Sequence, residues 1–217
     1  MNVVDAVVRF FVSGGLWMIP IFVVGAAGLA IGLERFIKLN SVERANRKMW
    51  DQLQPVLSQG DFEKARAMTA NDKSTVSQLL QASLELQGAV RHREDIEVVM
   101  EEEMMTIVPQ LEKRIAYTAL YANMATLLGL LGTVMGLISA FDAVANAAPA
   151  EKSNLLSASI AEAMNCTSFG LMVAIPLLLI NLFLSTKASR IVDSLEIISL
   201  KALNVIFRHA SRKQQSD

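Results

Sequence analysis

The chain of 217 residues has a single cysteine, Cys166. It can therefore form no internal disulfide and no cysteine-based metal cluster. Its two histidines, His92 and His209, stand far apart in charged helical stretches, where a solvated surface position is the default. No nucleophile–base constellation, phosphate-binding glycine loop or metal-ligand spacing is found, so an enzyme is the weakest reading and no nucleic-acid partner or bound cofactor is expected. Glycine and proline are scarce across residues 40–113, which carry almost no strand signal. The absence that matters most is of charge. Residues 14–33, 115–141 and 163–186 contain no Asp, Glu, Lys, Arg or His.

A helix of roughly 20 residues crosses the ~30 Å hydrocarbon core of a bilayer. The first charge-free stretch meets that length and the other two exceed it. The expected fold is an all-α integral membrane protein with three transmembrane helices. Of the 20 Lys and Arg residues, only Arg9 and Lys152 lie in the N-terminal segment or between the second and third spans. By the positive-inside rule the other loop and the C-terminal tail are cytoplasmic, and the N-terminus and residues 142–161 are periplasmic. The segments follow: 1–13 as a periplasmic N-terminal piece, spans at 14–35, 114–141 and 162–186, a cytoplasmic helical domain at 36–113 and a cytoplasmic tail helix at 187–217. Asp5 and Arg9 make the N-terminus a poor cleaved leader. Val3, Val4, Val7, Val8 and Phe11 share a helical face, as in a short helix lying on the membrane surface.

In the cytoplasmic block, Pro55, Gly60 and residues 71–74 read as breaks between short helices. Residues 77–108 read as one longer helix with Leu79, Leu80, Leu84, Leu86, Val90, Ile96, Val99 and Met100 as its apolar contacts. The run Glu101, Glu102, Glu103 is a solvated face or, as the alternative, a protein-docking surface. Pro109 is expected to kink the helix before the second span. In the tail, Ile191, Leu195, Ile198 and Ala202 form an apolar stripe that needs a partner.

The second span places Thr126, Gly129, Thr133, Gly136 and Ala140 on one stripe, and Gly132 with Gly136 makes a GxxxG pair. The third places Ala163, Thr167, Gly170 and Ala174 on another, with Asn181 close by in projection. Lipid tails give helices no hydrophobic reason to associate, so small residues for close approach and hydroxyls for bonding mark contact faces. The opposite sides, rich in Leu, Ile, Met and Phe, are left to membrane lipid. On this pattern Gly129, Gly132, Gly136, Gly170 and Ala174 are packing residues. Thr133 and Thr167 either glue helices together or line a path for water or an ion. Proton relays in membranes normally use an ionisable residue, and Glu162, at the outer mouth of the third span, is the nearest candidate. Either the chain conducts nothing, or another subunit brings the carboxylate.

The runs GGLWMIPIFVVGAAGLAIGLERFIKL, LLGLLGTVMGLISAF and EAMNCTSFGLMVAIPLLLIN, in that order, resemble the MotA/TolQ/ExbB proton-channel family, and within it the ExbB and TolQ branch. The resemblance implies a homo-oligomeric ring, usually a pentamer, whose second and third spans surround the single transmembrane helices of an ExbD- or TolR-like partner. That partner carries the intramembrane Asp. The family's pore threonines fall on Thr133 and Thr167, and its glutamate at the opening of the third span on Glu162. Two positions depart from the pattern: Cys166 stands where relatives often have Thr or Ala, and Asn165 where an apolar residue is usual. Cys166 is a poor ligand for Na⁺, which favours H⁺, while Asn165 keeps Na⁺ open. The resemblance further implies an inner-membrane motor that uses the proton motive force for TonB-dependent import or Tol-type envelope maintenance through a TonB- or TolA-like periplasm-spanning protein. A non-conducting oligomeric scaffold is the alternative. A motility stator is a second, although stators of the flagellar type usually have four spans.

Overall fold

The computed structural model describes residues 14–86 and 93–214, with side chains through Arg208. The surface helix read in residues 1–13, the contact of Val90, the settings of His92 and His209 and the last residues of the tail lie outside that range. Among the described residues six helices follow one another: α1 (Met18–Gln59), α2 (Phe62–Ala70), α3 (Thr75–Glu85), α4 (Arg93–Glu112), α5 (Ile115–Asn146) and α6 (Lys152–Gln214). No strand occurs among the described residues. Among the described residues three stretches are long and apolar enough to cross a membrane, lying in α1, in α4 with α5, and in α6. Residues 142–146 and 152–161, set down as loop from the sequence, are helical, so the connection shrinks to residues 147–151. The expected tail helix is the continuation of α6, which has 63 residues.

By contacts the chain divides into two units, and each has its own core. The first joins α1 as far as Glu34 with Arg114–Phe183. Its centre is built from Met18, Ile21, Ala122, Ala125, Phe169 and Leu177. Less than a third of the residues in each apolar stretch are buried within the protomer. The remaining apolar surface is left for lipid or other subunits. Gly25, Gly28 and Gly32 of α1 lie against Val173, Leu177 and Ile180 of α6, which is how a glycine face lets two helices approach. Between α4 and α5 the chain turns at Arg114, whose φ of 64° is left-handed. Thus the break falls five residues after Pro109, which is accommodated inside α4. The Arg114 guanidinium meets the Glu34 carboxylate at 3.1 Å, joining the first charge after one span to the last before the next.

The second unit joins Arg35–Lys113 with the chain from Leu184 onward. Pro55 does not break α1, which runs on to Gln59 with Leu53, Val56 and Leu57 buried around it. Gly60, with φ of 79°, ends it instead. The single helix expected over residues 77–108 is two: α3 stops at Glu85 and α4 starts at Arg93. The reason is packing. α3 and α4 lie against one another, burying Leu79, Leu80 and Leu84 on one and Ile96 and Met100 on the other, which a straight helix cannot do to itself. The apolar stripe of α6, Ile191, Leu195, Ile198 and Ala202, is buried as well, and the Ser199 hydroxyl meets the Met100 sulfur. Lys187 fastens α6 to α1 through Glu43 at 2.8 Å, a hydrogen bond to Asn40, and a position 5.8 Å from the centre of the Phe36 ring.

The start of α3 is held by polar contacts. Ser74 caps it, accepting from the Ser77 N–H. The Asn46 amide of α1 donates to Thr75 Oγ1 and accepts from the Val76 N–H. Asp72 accepts from the Ser74 N–H and the Ser77 hydroxyl. Burial pushes the Asp72 carboxyl up, but these hydrogen bonds outweigh it and hold the group below the usual aspartate range. A depressed folded-state pKa stabilises the fold above the ordinary value and is lost as pH falls through it. Acid titration is thus expected to loosen the Asp72–Ser77 turn below the ordinary aspartate range. Amide exchange at Ser74 and Ser77 reads this out, and Asp72→Asn should remove that part of the pH dependence.

Candidate functional site

The site is the seam between α5 and α6. On α5 the buried residues Ile115, Thr118, Ala122, Ala125, Gly129 and Gly132 recur three or four apart, and Ala140 is buried two turns further on. On α6 the buried residues Ala163, Cys166, Gly170, Ala174 and Leu177 recur with the same spacing, with Phe169 buried beside them. At Gly170, an added Cβ would stand 2.7 Å from the Ala125 carbonyl oxygen and 3.1 Å from Gly129 Cα. Backbone therefore meets backbone at this point. Gly136 faces Ala163, whose Cβ lies 2.9 Å from where its own would be. All five residues read as packing positions, Gly129, Gly132, Gly136, Gly170 and Ala174, lie on or beside this seam.

The hydroxyls take distinct places. Thr167 Oγ1 donates across the seam to the Gly129 carbonyl at 2.8 Å. Thr133 Oγ1 donates to Leu130 in its own helix at 2.6 Å, and Ser168 does the same to Met164 at 2.9 Å. A hydroxyl has one proton to give and lone pairs that accept. With their protons committed to carbonyls, Thr133 and Thr167 offer acceptor oxygens, and neither donates to the other. Thr133 and Thr167 are half-buried, at the flank of the seam.

The other site residues read from the sequence separate. Cys166 is buried, and its sulfur lies 2.2 Å from where a Gly132 Cβ would be. It fills the notch that Gly132 leaves. Asn165 is half-buried. Glu162 is exposed, and its Oε1 sits over Gly15, 2.1 Å from a hypothetical Cβ there. Gly15 has φ of 72°, a left-handed conformation that calls for glycine. The structure thus brings Thr167 to Gly129 and Cys166 to Gly132, and sets Glu162 apart against the entry to α1.

A model of the MotA/TolQ/ExbB proton channel family matches residues 71–197, which take in α3, α4, α5 and both sides of the seam. The chain belongs to this family. A relative from Methanothermobacter thermautotrophicus, named for its homology to the biopolymer transport protein ExbB, is 24% identical over 200 residues, covering 91% of this chain and 70% of the relative. The MotA/TolQ/ExbB match includes Thr133, Thr167 and the glycines of the seam. It also includes a contact that sequence reasoning placed only loosely. Asn181 donates from its amide to the Ile115 carbonyl and to Thr118 Oγ1, both at 2.9 Å.

Those bonds join α6 to the first turn of α5, where the Thr118 hydroxyl also donates to the Ile115 carbonyl at 2.7 Å. Interhelical hydrogen bonds in membranes are worth about 0.6–2 kcal/mol. Asn181→Leu is expected to destabilise the protomer by about 1–2 kcal/mol, measured by denaturation in mixed micelles. Thr118→Val in the same background should then cost much less than it does alone.

Proposed function

We propose that this protein is the channel-forming subunit of an inner-membrane energy-transducing motor. Copies of it form a ring, a pentamer in the form the resemblance implies, around an ExbD- or TolR-like single-span partner. Protons crossing at the partner's carboxyl drive movement of that partner. The observation that carries this reading is the seam itself. α5 and α6 present oxygen acceptors beside a close-packed small-residue face, within spans that hold no Asp, Glu, Lys, Arg or His. Such a lining can hold water or a protonated acid but carries no titrating group, so a second subunit must supply one. The charge distribution supports a cytoplasmic C-terminus and a periplasmic N-terminus. The protein itself is not an enzyme on this reading, and work at the outer membrane, in TonB-dependent import or Tol-type maintenance, passes through a periplasm-spanning protein.

The transmembrane potential supplies about 2.3 kcal/mol per charge per 100 mV, so flux should follow an imposed potential. The test is reconstitution in liposomes with and without the single-span partner, reading internal pH under a potassium-diffusion potential. Acidification that needs the partner, and that persists without sodium, supports the reading. Flux requiring sodium would replace H⁺ by Na⁺ as the ion. Intact complexes that pass neither ion would support the scaffold.

A further inference from the structure

The unit outside the apolar spans carries two surfaces of opposite charge. Between α4 and α6 lies a cavity of about 570 Å³. Met100 and Leu203 form its buried floor, and Met104, Met105 and Leu200 its walls, with Met105 73% exposed. Glu97, Glu101 and Glu196 also line it, so its mouth is acidic. On α1, Lys38, Ser41, Arg44, Ala45 and Lys48 recur at helical spacing and are all exposed, with Ile37 66% exposed beside them. That face is basic and has an apolar edge.

Methionine side chains adapt to irregular apolar partners. A ring of carboxylates disfavours anionic lipid headgroups and favours a cationic segment. A closed ring of identical subunits needs a head-to-tail interface, in which two different patches of one chain are complementary. The acidic cavity and the basic face meet that requirement. They also match in length: residues 97–108 and residues 37–48 each advance about 16 Å along their helices.

We propose that the α4–α6 cavity of one copy receives the basic face of α1, residues 37–48, from the adjacent copy. Arg44 and Lys48 face Glu101 and Glu196, and the Met and Leu walls close over Ile37 and Ala45. The inference rests on the ring reading above and adds to it the surface that sets subunit order.

The test uses the full-length protein in membranes, in a Cys166→Ala background, with Ala45→Cys and Met105→Cys and a short bismaleimide. A ladder of covalent multimers is expected. Adding Glu101→Lys with Glu196→Lys should cut ladder yield at least about tenfold, since like charges across an interface cost several kcal/mol. Further addition of Arg44→Glu with Lys48→Glu should restore it, which a merely misfolded variant would not allow. Native mass of the uncross-linked protein is measured in parallel. Multimers of normal mass without a ladder overturn the inference and leave the ring reading standing. A monomeric wild type overturns both. The inference also fails if the compensating pair restores nothing, or if Met105→Cys links to the single-span partner in place of a second copy.

Discussion

Gly170→Ala is expected to destabilise the protomer by about 1–3 kcal/mol, the range for overpacking a close contact, and to lower the yield of assembled complex. The new methyl would come 2.7 Å from the Ala125 carbonyl oxygen and 3.1 Å from Gly129 Cα. Neither atom belongs to a side chain that can rotate away, so α5 and α6 must separate. Separation stretches the 2.8 Å bond from Thr167 to the Gly129 carbonyl, and the two losses add. Gly132→Ala is the informative comparison. Its methyl would meet the Cys166 sulfur, 2.2 Å away, and that neighbour is removable. Cys166→Ala should therefore recover most of the stability lost in Gly132→Ala and none of that lost in Gly170→Ala. Denaturation in mixed micelles measures all four variants. A Gly170→Ala protein as stable as the wild type would mean that the backbones do not approach at this point.

The three spans were legible because charge is excluded from hydrocarbon, and residues 14–33, 115–141 and 163–186 obey that without exception. The seam was legible in part. Gly129, Gly170, Ala163 and Ala174 lie where small residues at helical spacing placed them. But Cys166 is buried beside the half-buried Thr167, and Ala122 and Ala125 join Gly132 in the buried row of α5, while Thr126 is exposed and Thr133 half-buried. Neighbouring stripes on a helix differ by one residue, and threonine is small enough for either. Only the partner helix decides. A second glycine face went unread: Gly25, Gly28 and Gly32 carry the same small-residue spacing and mark the contact of α1 with α6. The helix ends were least legible. Pro55 reads as a break, but the leucines packed around it keep α1 continuous. The division of residues 77–108 rests on α3 and α4 packing together, a tertiary cause with little local signal.

Thr133→Val and Thr167→Val together are expected to separate conduction from assembly. Valine keeps the shape of threonine and removes the hydroxyl. At Thr133 the hydroxyl bonds only its own helix, at Leu130, so the substitution should leave stability within about 0.5 kcal/mol. If that oxygen accepts a hydrogen bond from water or from a partner's protonated acid, its loss costs about 1–3 kcal/mol, and flux falls roughly ten- to hundredfold in intact complexes. At Thr167 the hydroxyl also crosses the seam to Gly129, so Thr167→Val should lose about 1–2 kcal/mol of stability as well as flux. Thr167→Ser retains the hydroxyl and should preserve both. The measurements are proton flux per assembled complex and complex mass in the same preparations. Should Thr133→Val conduct like the wild type while Thr167→Val loses flux only in proportion to complex lost, both hydroxyls are structural. The threonine flank of α5 and α6 would then be glue, and the ion path would have to run along another face.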